Sequence, residues 1–200
     1  ALTTMLRHRI HRVVVSDGDH VQGVIESLDV FSYLSNHSHL ILTRIGQATS
    51  ISALTATATQ TTKMVQQLHV NGTDIGLIGR LVQQVNARLF ERTWELLAPP
   101  DLVQNSCLIV MGSEGRGEQL FKTDQDNGLI LRDGYTPPTD IEAICEQFAQ
   151  ALESFGYPPC PGRIMVSNPD WVQPLAAMKD RLYRWVYLPD PEAQMKLAIF

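Results

Sequence analysis

Cysteine is scarce in this chain, charge is sparse, and no apolar run is long enough to span a bilayer. Three cysteines, Cys107, Cys145 and Cys160, are scattered over 200 residues. No C-x-x-C pair and no neighbouring histidine completes a zinc site, so they read as reduced, mostly structural thiols of an intracellular protein. Charged residues make up 18% of the chain and the net charge is −5. With no basic stripe, nothing gives a reason to expect a nucleic-acid partner. No signal sequence is visible, which adds to a cytoplasmic reading. The low charge does not mean disorder, because a hydrophobic content of 44% supports a packed core. A change of texture around Pro99 favours at least two structural units. The chain opens on Ala1 in a helix-like stretch and closes on the apolar Lys196–Phe200, and both ends read as cut from a longer protein.

What is present is concentrated in one stretch. An apolar run, Cys107 to Met111, leads into Gly112-Ser113-Glu114-Gly115-Arg116-Gly117-Glu118-Gln119. Thr123-Asp124-Gln125-Asp126-Asn127 follows, then a second apolar run, Gly128 to Leu131. The pattern predicts a buried strand, a glycine-rich turn, a helix of one or two turns, and a second strand approached through two acids. Residues i and i+2 of an extended chain face the same way. Asp124 and Asp126 therefore present two carboxylates to one side, where they can share hard cations such as Mg²⁺. Gly112 and Ser113 put little side chain in the way, and the amides opening the helix are free to hold an anion. Phosphate on one side and paired carboxylates on the other make a nucleotide–metal site. The plain alternative is a surface turn whose acids repel each other.

The neighbours have ordinary roles as well as functional ones. Arg116 reaches a phosphate or bridges to Glu118 or Asp124. Glu114 and Glu118 gain from the helix dipole whether or not they bind anything. Gln119 and Gln125 can donate to a base or to a carboxylate ligand. Thr123 caps the strand or hydrogen-bonds Asp124, and Asn127 orients the second strand.

Elsewhere the reading is architectural. Leu2 to His8 is the tail of a helix, Arg12–Val15 and Val21–Ile25 are strands about an Asp17-Gly18-Asp19 turn, and a helix runs from Ser27 to near Asn36. Thr49 to Thr62 is either a poorly packed helix or a mobile linker, since threonine weakens helix preference. Lys63 to Val70 is helical, Asn71–Asp74 interrupts, and a long amphipathic helix from Ile75 ends at Pro99-Pro100. In the carboxyl third, Ile141, Ile144, Cys145, Phe148, Leu152 and Phe155 form an apolar helix stripe closed by Gly156. Ile164–Val166 suggests a short strand, and a helix starting near Trp171 buries Met178, Leu182, Trp185 and Val186. A last helix or strand follows Pro191.

Two resemblances add to this. Gly23-Val24-Ile25-Glu26-Ser27-Leu28-Asp29, after the strand and turn, resembles the second half of a cystathionine-β-synthase-type (CBS) module. There Asp29 matches the residue that holds a nucleotide ribose, while Glu26 replaces the usual hydroxyl. The Gly112–Gln119 string with Thr123–Asn127 resembles the nucleotidyltransferase domain that follows CBS modules in bacterial signalling proteins (the DUF294 type). That domain falls in the DNA-polymerase-β-like superfamily, distantly like the protein-PII uridylyltransferases.

The resemblance implies an α+β fold: a partial CBS module over 1–46, a helical connector over 47–100, and a nucleotidyltransferase core over 101–200 with a small mixed sheet flanked by helices. It implies that Gly112, Ser113 and Arg116 contact the phosphates of a nucleoside triphosphate and that Asp124 and Asp126 hold Mg²⁺ or Mn²⁺. The acceptor is a protein or small-molecule hydroxyl. CBS modules imply homodimers and an adenine nucleotide at a complete pair. The superfamily takes a third carboxylate from a later strand. None in this chain fits, and Met195–Phe200 reads as the approach to such a strand, placing the third acid past residue 200. The alternative is a nucleotide-sensing or protein-binding module without turnover.

Overall fold

A computed structural model describes residues 2–27, 30, 40–119, 121–188 and 190–200. Helix α1 (Leu2–His8) precedes an antiparallel hairpin of β1 (Arg12–Asp17) and β2 (His20–Glu26). Gly18 turns it at φ +59°, Val14 faces Val24, and Arg12 pairs with Glu26 across the strands at 2.8 Å. Val14, Val21 and Val24 are exposed. The helix expected from Ser27 to Asn36, and Asp29 with it, lies outside the described residues but for its first position and Val30.

Helical residues 40–47 (α2) lead to α3 (Ile51–Val70), which starts on Ser50, whose hydroxyl accepts from the Ala53 amide at 3.3 Å. Of the two alternatives for Thr49–Thr62 the helix holds and the mobile linker does not, but the expected poor packing is corrected, because α3 is one continuous helix with a buried side. Thr55, Thr57, Thr59, Thr61 and Thr62 each return the hydroxyl proton to the carbonyl four residues earlier. That bond removes the threonine's competition with the backbone, while Leu54, Ala58, Met64, Val65 and Leu68 are buried along one side. After the turn at Gly72, Asp74 caps α4 (Ile75–Leu97) by accepting from Leu77 N at 3.0 Å. Ile78, Val82, Val85, Leu89 and Phe90 recur at helical spacing on its buried face.

Proline-started α5 (Pro100–Gln104) delivers β3 (Ser106–Val110). Then come α6 (Gly112–Gly115), β4 (Asn127–Leu131), α7 (Ile141–Phe155), a 3-10 turn (Pro169–Trp171), β5 (Val172–Pro174), α8 (Leu175–Tyr187) and α9 (Pro191–Ile199). The sheet order is β3-β4-β5, with β4 antiparallel to β3 and parallel to β5. As the middle strand, β4 is buried along almost its whole length. Helices α3, α4 and α7 pack together over it. Phe148, Leu152, Leu54 and Leu129 are fully enclosed, and Trp94 meets Phe148 edge-on at 5.7 Å.

Three further expectations fail in the carboxyl third. Ile164–Val166 is not a strand. It is irregular chain bonded to Asn127, whose amide donates to Ile164 O at 3.0 Å and whose Oδ1 accepts from Val166 N at 2.9 Å. The third strand is instead Val172–Pro174, so α8 begins four residues later than expected. Of its predicted buried side only Met178 is buried, and Val186 is half exposed. After Pro191 the expected last helix or strand is a helix, α9, which includes Met195 to Ile199. Among the described residues no helix is long and apolar enough to cross a membrane.

Candidate metal and phosphate site

The turn after β3 is shaped by close approach. Gly112 sits at φ +60°, and a Cβ there would collide with the carboxylate of Asp126. At Gly115 space alone is limiting, since a Cβ would come within 2.5 Å of Val110 O. Glycine meets both demands, a left-handed backbone and no side chain. The Met111 amide donates to Asp126 O at 2.9 Å, which extends the β3–β4 ladder by one rung and sets the turn against the acids.

Asp124, Gln125 and Asp126 alternate as extended chain does. Gln125 turns inward and is buried, donating from Nε2 to Ala149 O and Tyr157 O, each at 3.1 Å. It is thereby committed to the core, not to a base or a ligand. Asp124 and Asp126 turn the other way, both half-buried. A carboxylate oxygen of each, together with Cys160 Sγ, forms a cluster whose atoms all lie within 4.8 Å of one another. Asp126 Oδ1 is buried with no hydrogen-bond partner. Burial is the main cause that raises the Asp126 pKa, with Asp124 adding to it, while the Cys160 thiol and Arg116 oppose the shift.

Cys160 is brought there by chain fastened at two points. Gln125 N donates to Pro158 O and Asn127 N to Ile164 O, each at 3.0 Å, so residues 158–164 arch over position 126. Expected as a structural thiol, this cysteine has the two carboxylates as neighbours. Its only advance signal was Cys160-Pro161-Gly162, a rigid turn beside a nucleophilic residue type.

Other predicted residues serve the frame. Ser113 Oγ and Thr123 Oγ1 are 3.3 Å apart. The Gln119 amide, with its NH₂ toward Glu114, accepts from Thr123 Oγ1 at 2.5 Å and Thr123 N at 3.3 Å. Thr123 thus bonds Ser113 and Gln119, not Asp124. Glu114 points inward, where Asn86 Nδ2 of α4 donates to it at 3.0 Å and Tyr157 Oη donates to Asn86 Oδ1 at 2.6 Å. Burial lifts the Glu114 pKa against the pull of the Asn86 bond, and burial with Glu114 nearby lifts that of Tyr157. Arg116 lies at the surface, paired with exposed Glu118 at 3.0 Å. Asn127 is buried and ties β4 to the 164–166 chain.

Lys122 bridges the same region to the helices. Its ammonium donates to Phe155 O and Ala58 O and lies 5.6 Å from the Tyr157 ring centroid. Burial lowers its pKa. Asn86, Tyr157, Lys122 and Cys160 are the members that sequence reasoning missed.

The family model described as "Putative nucleotidyltransferase DUF294" matches residues 59–192, well over half of the chain. No curated protein and no solved structure matches it.

Proposed function

The chain belongs to the DUF294 nucleotidyltransferase family, and on that premise we propose that it moves a nucleoside monophosphate from a nucleoside triphosphate to a hydroxyl of a protein or small molecule. The observation that carries this reading is the unpaired, buried Oδ1 of Asp126, in a carboxylate pair set against the Gly112–Ser113 turn. A buried carboxylate oxygen without a donor is unfavourable unless a cation takes the place of the donor. The donor set therefore fits a divalent ion. Such an ion, Mg²⁺ or Mn²⁺, would neutralise phosphate charge and acidify an attacking hydroxyl.

The protein's own share is to hold and orient. Asp124 and Asp126 supply the anionic ligands. The first amides of α6 have no acceptor within their own helix and would be available to a phosphate. Ser113, held by Thr123 and through it by Gln119 and Glu114, keeps its hydroxyl at the rim. Arg116 reaches a phosphate by leaving Glu118, a small cost because both partners are exposed.

We extend the proposal to the rest of the chain. Residues 1–46 form half of a CBS module, 47–100 the connector, and 101–200 the transfer domain. CBS-mediated homodimers of a cytoplasmic signalling protein would control transfer, with adenine nucleotide at a complete CBS pair and Asp29 in that site. Helix α4 offers the route, since Asn86 bonds directly to Glu114 of α6. A second reading, a nucleotide sensor without turnover, draws support from the third donor beside Asp124 and Asp126, which is the thiol of Cys160 and not a carboxylate.

The test is equilibrium binding of labelled nucleoside triphosphates with Mg²⁺ or Mn²⁺ to the wild type and to Asp124→Asn/Asp126→Asn. Metal-dependent binding should vanish in the double variant. Binding that survives unchanged overturns the assignment. Release of pyrophosphate by the wild type would separate transfer from sensing.

A further inference from the structure

Superfamily resemblance leads to an all-oxygen cation site, yet the third donor beside Asp124 and Asp126 is sulfur. We propose that Cys160 is a ligand of this site and that its thiolate turns the preference from Mg²⁺ toward a borderline cation such as Zn²⁺. The inference rests on the reading of the carboxylate pair as a cation site.

Three observations support it. The donor atoms of Asp124, Asp126 and Cys160 already lie within 4.8 Å of one another. Asp126 Oδ1, buried and unpartnered, points to a missing positive group at that spot and not at the surface. The thiol is held in place, because residues 158–164 are bonded to Gln125 on one side and Asn127 on the other, and Cys160 itself packs with Met111, Ile164 and Trp171. The thiol's neighbours are not apolar alone: it faces the Asp126 carboxylate and the backbone at Gly162 and Ile164.

The chemistry follows from the donor set. Two carboxylates and one thiolate give three protein ligands and leave a position open for water or a phosphate oxygen, the pattern of a working zinc site and not of a closed structural one. Mg²⁺ binds oxygen and gains little from sulfur, whereas thiolate selects Zn²⁺ and its softer relatives. Binding through sulfur breaks the S–H bond and releases its proton to solvent, forming a metal–sulfur bond in its place.

The experiment uses the whole chain with Cys107, which is exposed, replaced by serine, leaving two buried cysteines of which Cys160 is the one beside the carboxylates. Metal-free protein is titrated with Cd²⁺ and Co²⁺ as spectroscopic probes, and with Zn²⁺ and Mg²⁺ by calorimetry. A thiolate-to-metal charge-transfer band should saturate at one equivalent and be absent from Cys160→Ser. That variant should bind Zn²⁺ about tenfold or more weakly, with Mg²⁺ affinity within about twofold of the parent. Cys160→Asp, which supplies an oxygen donor in place of sulfur, should lose the band and bind Mg²⁺ more tightly. Cation binding with no charge-transfer band, or Zn²⁺ affinity unchanged in Cys160→Ser, overturns the sulfur ligand. If Asp124→Asn/Asp126→Asn still abolishes Mg²⁺ or Mn²⁺ binding in that case, the transferase reading stands alone. Absence of any cation binding by the wild type overturns both.

Discussion

At the scale of single residues, Gly112 and Glu114 occupy the same short helix and answer to opposite constraints. Gly112 is there because nothing larger fits between the turn and Asp126. Glu114 is a carboxylate turned inward, and burial raises its pKa above 4.5. A raised folded-state pKa means that the folded protein holds the proton more tightly than the unfolded chain. Its stabilising contribution is therefore complete below the ordinary carboxylate range and is lost as pH rises through the raised value. Glu114→Gln cannot ionise and escapes that loss. Thermal unfolding should show the variant level with the wild type near about pH 4 and more stable by roughly 2 °C near about pH 7. A gap that shrinks as pH rises would mean that the carboxylate is favoured in its charged form.

At the scale of elements, the join between α4 and α6 is polar. Tyr157 donates to Asn86, and Asn86 donates to Glu114, all in buried or half-buried surroundings. Removing one partner leaves the other unsatisfied, which costs more than the bond itself contributes. Tyr157→Phe keeps the ring that meets Phe90 edge-on at 5.1 Å but strands Asn86 Oδ1. Urea denaturation should register a loss of about 1–3 kcal/mol. Nucleotide binding should weaken in the same variant, because Glu114 and the turn that it supports lose their tether to α4. A variant as stable as the wild type would show that water replaces the phenol and that the network carries no strain.

For the whole molecule, the helical hairpin and the sheet share one core. Leu54 of α3, Leu89 of α4, Phe148 and Leu152 of α7 and Leu129 of β4 belong to a single buried cluster. Phe148 is its centre, fully enclosed and edge-on to Trp94. Phe148→Ala should cost about 3–5 kcal/mol, a large part of the ~5–15 kcal/mol that holds a domain together. Because the cluster is continuous, far-ultraviolet dichroism and tryptophan fluorescence should fall in one coincident transition, earlier in denaturant than the wild type. Two separated transitions would show that the hairpin and the sheet fold independently.

The sequence by itself determined what depends on neighbours along the chain. Helical spacing from Ile75 onward and from Ile141 to Gly156 follows from one apolar stripe per 3.6 residues. The meeting of Asp124 and Asp126 on one side follows from the two-residue alternation of extended chain. Only the tertiary structure decided the rest. It made the threonine-rich stretch a helix, because burial against α4 and α7 outweighs weak intrinsic preference. It gave the third strand to Val172–Pro174, since pairing with β4 is set by partners far off in sequence. It brought Asn86, Tyr157 and Cys160 to the turn for the same reason. Periodicity reports which side of an element is buried, but a hydrogen bond or a shared ligand between distant segments leaves no period in the sequence, and that is where this site takes its particular chemistry.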